Sequence, residues 1–311
     1  MQSDSHSKTF NNEKEIDWKS FLLIILDHKK FIFLATTIVT LAVILLSFFT
    51  PNQYTASVLL KLSEEQSQST SSSMGGAAGL ASMAGISISG GNNSAYYANA
   101  VLQSKKFLSH IASFPGVREN LTVANGFDFK TGKILYKKEY YDGEKRKWQK
   151  TDANGSPIIP SDLDVIAEIK DRMNVYVDFE TNFITITFQH FSPIFAFEFI
   201  NLLEGQLNFI EREKDIRDSS RAITYLNKQL EETRQAGIQN AIYQLIESQL
   251  KTQMLANIDE HYLVAPIDPA VIPEQKSFPF RRNITIVAFI LSLIGSSILV
   301  LLRHFYLRSS S

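Results

Sequence analysis

Cysteine is absent from these 311 residues. That excludes disulfides, thiolate nucleophiles and Cys-ligated metal sites, and it is compatible with an oxidising compartment without requiring one. An excess of one charge is missing as well: 31 basic residues stand against 32 acidic ones, for a net charge of −1. No electrostatic case for nucleic acid remains. Catalytic signatures are equally thin. His110, His190 and His261 are far apart and form no H-E-x-x-H pair. GFDFKTGKI at 126–134 mimics a phosphate loop, but its glycines stand one position too far apart and Ile134 replaces the magnesium-binding hydroxyl. GISIS at 85–89 resembles a nucleophile elbow without its final glycine, and acid pairs such as Asp162 and Asp164 read as solvated surface. No set of nucleophile, base and orienting group emerges, so no catalytic residue, cofactor or metal is expected.

What the chain does have is two uncharged apolar runs, Phe31 to Phe49 and Ile284 to Leu302. Each is close to the roughly 20 helical residues that cross a bilayer core of about 30 Å. The first is too long for the h-region of a secretory signal, and no A-x-A-like site follows it, since Phe49, Thr50, Pro51 and Tyr54 occupy that zone. It reads as a retained anchor. Two crossings put both termini on one side, and Lys14, Lys19, Lys29 and Lys30 argue that this side is cytoplasmic, with Arg281 and Arg282 weakening the bias. The expected domains are a cytoplasmic segment 1–30, spans 31–49 and 284–302, an exported domain 50–283, and a tail 303–311.

The spans carry a mostly small-residue pattern at helical spacing: Thr36, Thr40, Val43 and Ser47 in the first; Thr285, Ala288, Ser292, Gly295 and the larger Leu299 in the second, with Ser296 completing the row Ala288, Ser292, Ser296. Small residues let helices approach closely in lipid, with van der Waals packing and weak interhelical hydrogen bonds in place of a hydrophobic drive. The two stripes either face each other or are merely tolerated. Before the first span, Glu13 to Lys30 reads as an interfacial helix with Asp17 as N-cap and Trp18 in the headgroup layer.

Between the spans, Tyr54 to Leu62 is a first strand. Gln66 to Ser94 is Gly/Ser-rich but carries Met74, Leu80, Met83, Ile86 and Ile88, so it is either a solvated loop or one that docks. Ser94 to Ser113 has helical character up to Pro115-Gly116. Asp142-Gly143 marks a hairpin whose Tyr136, Tyr140, Tyr141 and Trp148 interleave with lysines, an arrangement that either holds a sugar chain or is an exposed ribbon kept soluble by charge. A short helix over Ser161 to Lys170 and strands Asn174 to Glu180 and Phe183 to Phe191 follow. Ser192-Pro193 then starts a helix running to about 235, roughly 65 Å long, with a heptad-like stripe of Ile216, Ile223, Leu226 and Leu230. A helix at about 238–257 returns with Ile242, Leu245, Leu250 and Met254, and a closing strand Tyr262 to Ile267 is expected beside the first strand. Such a mast buries one stripe on its own and argues for self-association. Pro266, Pro269, Pro273 and Pro279 punctuate a stiff strap into the second span. The fold class is thus α+β, a membrane-proximal mixed sheet with a long helical hairpin, set between two transmembrane helices.

The IDW lead at 16–18, the strand YTASVLLKL, the helix running into ITYLNKQLEET, and the segment MLANIDEHYLVAPIDPAVIPEQKSFPFRR directly before a final span resemble the Wzz-type chain-length determinants, the polysaccharide co-polymerases of bacterial inner membranes. The resemblance implies a two-pass inner-membrane protein with a periplasmic domain that forms a ring-like homo-oligomer. It implies action with a Wzy-type polymerase on a lipid-linked glycan, setting the length of O-antigen or a similar polysaccharide without being an enzyme. A related subgroup continues into a cytoplasmic tyrosine kinase, and here a kinase would be a separate protein. On this reading Thr36, Thr40, Ser47, Ala288, Ser292, Gly295 and Ser296 are candidates for transmembrane packing. Arg212, Arg217, Arg221 and Arg234 on the long helix are candidate oligomer or glycan contacts. A two-span periplasmic sensor and a membrane-tethered glycan-active enzyme are the competing classes.

Overall fold

In the computed structural model, which describes residues 26–63 and 92–309, the chain divides into two compact units. One holds the two terminal apolar helices, α1 (Lys29–Phe49) and α8 (Arg281–Ser309), and the other is Pro51–Phe278. The interfacial helix with Asp17 and Trp18, the 1–25 part of the N-terminal segment, the Gly/Ser-rich stretch up to residue 91 and the GISIS motif lie outside the described residues.

The second unit is built on a four-stranded sheet of order β6-β7-β1-β8, with β1 Tyr54–Leu62, β6 Met173–Val177, β7 Ile184–His190 and β8 Val264–Asp268. A mixed sheet is expected from the sequence, but every pairing is antiparallel. The connectivity explains the difference: β1 leads away from the first apolar helix, β6 and β7 form a hairpin, and β8 brings the chain back. Alternation along β1 and β7 buries Ala56, Val58, Leu60, Ile184, Ile186 and Phe188 on one face. Helix α6 (Pro193–Glu232) covers that face with Phe195, Phe199, Ile200, Leu203 and Leu207, and Phe199 lies 4.2 Å from the ring of Phe188.

Local chemistry fixes where elements begin. Ser192 accepts a hydrogen bond from the Phe195 N–H at 3.2 Å and Pro193 takes the first helical position, so α6 starts there. Ser161 and Asp164 form a reciprocal capping box for α5 (Asp162–Arg172). The helical stretch before Pro115 is two helices, α2 (Asn92–Gln103) and α3 (Lys105–Ala112), because Ser104 caps the second through the Phe107 N–H. Helix α4 (Val117–Thr122) leads into a ribbon module of β2 (Ala124–Asp128), β3 (Lys133–Tyr136), β4 (Tyr141–Asp142) and β5 (Lys147–Trp148).

Helix α6 runs 40 residues, about 60 Å, through Gly205 without a break. After Thr233–Gln235, α7 (Ala236–Ile258) folds back along it. Its buried contacts are Ile242 and Ala256, with Gln253 donating to the Ser220 hydroxyl at 3.0 Å. Leu245, Leu250 and Met254, expected on that inward stripe, point outward instead. Ser219 and Ala256 are buried, and the expected stripe of Ile216, Ile223, Leu226 and Leu230 on α6 is half-buried.

Candidate functional site: two apolar legs and a helical hairpin

Helices α1 and α8 pack along each other within their unit, each long and apolar enough to cross a membrane. Thr36 and Ser296 are buried in the seam, together with Ile32 and Val300, and Thr40, Ser47, Ala288 and Ser292 are half-buried. Gly295 is on the outer surface, and a Cβ there would meet nothing within 4 Å. The i, i+4 row Ala288, Ser292, Ser296 lies on the inward face. The hydroxyls bond within their own helices: Thr36 to the Ile32 carbonyl at 2.9 Å, Thr40 to Thr36 at 2.7 Å, Ser292 to Phe289 at 2.9 Å and Ser296 to Leu293 at 3.0 Å. Close packing, rather than bonds from these hydroxyls across the seam, therefore joins the legs.

At the other unit's end the chain is clamped to itself. The Gln53 N–H donates to the Phe278 carbonyl at 2.9 Å, the Ser277 N–H donates back to Gln53 at 2.8 Å, and the Thr55 hydroxyl reaches Ser277 Oγ at 2.7 Å. Of the strap prolines, Pro266 lies in β8 opposite Leu60, on an edge strand where a missing N–H breaks no ladder. Pro269 and Pro273 lie on the run from β8 to the clamp, and Pro279 directly follows it. Asn208 on α6, buried, holds the start of β8: its Oδ1 accepts from the Leu263 and Val264 N–H groups, both at 2.9 Å, and its Nδ2 donates to the Val264 carbonyl. No sequence signal marks this residue beyond being a polar side chain on an apolar helical face.

On the mast, Arg217, Arg221 and Arg234 are exposed and, among the described residues, none of the three forms an ion pair, whereas Arg212 is half-buried over the Phe209 ring. Deeper in, Tyr97, Glu211 and Lys214 form a closed polar cluster tying α2 to α6. The Tyr97 hydroxyl donates to the buried Glu211 carboxylate at 3.0 Å, and Lys214 donates to both at 2.7 and 3.0 Å. Burial alone would push the Lys214 ammonium down, but its bonds to Tyr97 and Glu211 leave it raised.

The residues that suggest chemistry in the sequence have structural partners. Asp162 accepts from Arg118 at 2.6 Å, a hydrogen bond that holds its carboxyl below the usual range, and Arg118 also reaches the Pro160 carbonyl. Asp164 is the capping-box acid. His110 bonds Gln206 at 2.8 Å, and His261 lies 3.6 Å from Glu204, whose carboxyl is raised by burial and held back by that histidine. His190 is fully buried, with both ring nitrogens bonded to backbone. Among the described residues no three His, Asp or Glu side chains are grouped to hold a metal ion. The phosphate-loop mimic at 126–134 is the β2–β3 hairpin: Asp128 accepts from the Lys130 N–H and the Thr131 hydroxyl, and Gly132 takes φ 66°.

The aromatic hairpin keeps its rings to itself. Tyr141 is buried, with Tyr136 at 5.0 Å and Trp148 at 5.1 Å, all edge-on, and Lys150 sits over Tyr140. A Cβ on Gly143 would fall 2.7 Å from the Tyr136 ring, so only glycine fits this turn. Burial pushes the Tyr136 hydroxyl up to about 12. These faces make a small core under a charged ribbon rather than an open sugar platform.

No curated protein matches the chain. A solved structure described as a full-length bacterial polysaccharide co-polymerase covers 93% of this chain and 97% of its own, at 12% sequence identity and a TM-score of 0.37. Residues 14–113, from before α1 through β1 to the end of α3, match the family model described as "Wzz: Chain length determinant protein". Over those residues the chain is thus similar to the Wzz chain length determinant family.

Proposed function

We propose that this chain regulates the length of a bacterial surface polysaccharide, as a non-enzymatic, oligomeric scaffold beside a Wzy-type membrane polymerase and its lipid-linked glycan. The observation that carries the reading is the chain length determinant match over residues 14–113. In this reading α1 and α8 are two crossings of the inner membrane, both termini are cytoplasmic, and 51–278 is the periplasmic domain. The seam of Thr36, Thr40, Ser47, Ala288, Ser292 and Ser296 holds the legs together. Arg217, Arg221 and Arg234 meet glycan or a neighbouring copy along the mast.

The outer face of α7 supports self-association. Tyr243, Leu250, Met254 and Ile258 are all exposed at helical spacing, an apolar stripe that a solvated helix on its own would not display. Deletion of the gene tests the function. The modal length of the surface glycan on a gel should change while repeat units are still made, and the full chain supplied in trans should restore it. Unchanged banding overturns the proposal.

A further inference from the structure

One end of the 51–278 unit displays apolar side chains that its own packing covers only in part. Register places Tyr54 opposite His190 and Leu60 opposite Ile184, so the start of β1, the end of β7 and the first turn of α6 share that end of the sheet. The Gln53–Phe278 bridge adds the point where the chain leaves. The β2–β3 turn joins them, with the Phe129 ring edge-on to Tyr54 at 5.5 Å. Tyr54 is thereby buried, yet Phe129 remains 61% exposed, and Ile194 and Phe278 at the same end are 39% and 38% exposed. The turn itself needs no aromatic, since Asp128 and Gly132 define it. Lys130 and Lys133 of the same hairpin are exposed.

Tyr54 follows the last residue of α1, Phe49, by five residues, so it lies within about 18 Å of that helix end along the chain. An exposed aromatic packed on that tyrosine, with lysines in the same turn, matches the composition of a membrane interface, where rings sit among headgroups and ammonium groups meet lipid phosphates. We propose that the β2–β3 turn and the first turn of α6 form a foot that rests in the phospholipid headgroup layer, Phe129 being its main contact. The proposal rests on the reading of α1 and α8 as membrane spans.

The absence of cysteine makes the test direct. Single-cysteine variants of the full chain, F129C, K130C, I194C, F179C and L41C, are labelled with a thiol-reactive fluorophore in vesicles of phosphatidylethanolamine and phosphatidylglycerol. Lipids with a headgroup-proximal nitroxide then serve as quenchers for the domain positions, and lipids with a nitroxide deep in the acyl chain serve for Leu41, which lies midway along its span. Phe179 is the internal contrast, exposed in the β6–β7 turn at the far end of the sheet, and Leu41 reports the span. Quenching at 129, 130 and 194 is expected to exceed that at 179 several-fold. K130C keeps the Phe129 ring and guards against local damage from F129C. Equal quenching at 129, 130 and 179 with strong quenching at 41 overturns the foot and leaves the spans standing. Loss of quenching at 41 as well overturns both.

Discussion

His190 shows how a residue that suggests chemistry can be wholly structural. Its Nδ1 accepts from the Ser192 N–H at 3.0 Å, so the ring proton is on Nε2, which donates to the Asn120 carbonyl at 2.8 Å. The ring therefore joins the end of α4 to the start of α6. Burial lowers its pKa from 6.5 to about 4, and the nearby Arg172 charge acts in the same direction. Above pH 6.5 the ring is neutral in both folded and unfolded chains, so stability is full. Between pH 6.5 and 4 the unfolded chain takes up a proton that the folded one refuses, and about 3 kcal/mol is lost as pH falls through this window. Urea midpoints of the full chain in detergent, measured from pH 7 to 4, should decline accordingly. H190Q, which keeps a donor and an acceptor without titrating, should remove most of that decline. A wild-type midpoint flat across the window would contradict the assignment.

Elements were legible where local chemistry writes them and obscure where a distant partner decides. The Ser192-Pro193 start of α6, the Ser161 cap and the Thr181-Asn182 turn can be read from neighbouring residues, and each marks an element boundary in the fold. The split at Ser104 was hidden, because a serine inside an amphipathic stretch signals a cap only once the next helix has its own packing partner. The inward face of α7 is obscure for the same reason: Leu245, Leu250 and Met254 look like core by hydropathy yet are exposed, while Ile242 and Ala256 are buried and Gln253 bonds Ser220. The antiparallel sheet and the Asn208 bracket likewise depend on pairings across the whole unit. If the outward stripe of α7 binds another copy, L250E with M254E should lower the oligomeric mass in native mass spectrometry. Both side chains are exposed, so the monomer's stability should change by no more than about 0.5 kcal/mol. Retained mass would mean that the stripe faces something else.

At the scale of the molecule, the main core and the mast are separable. Buried contacts of α6 with the sheet stop near Leu207 and Ile210, whereas beyond Ser219 the hairpin relies on α7 alone. Replacing residues 221–252 by a short turn at the level of the Ser220–Gln253 bond should leave the sheet unit as protease-resistant as before, while shifting glycan length in cells. General proteolysis of the shortened chain would show that the mast supports the base. The position of β1 bears on how the chain is made. Among the described residues it is the first strand synthesised, yet its neighbours β7 and β8 come only after residues 63–183 and 63–263 have followed. Both edges of an apolar strand therefore wait unpaired during synthesis, and the sheet closes only when the last strand arrives. A ribosome stalled ahead of residue 264 would present that strand half-paired, a target for chaperones and proteases.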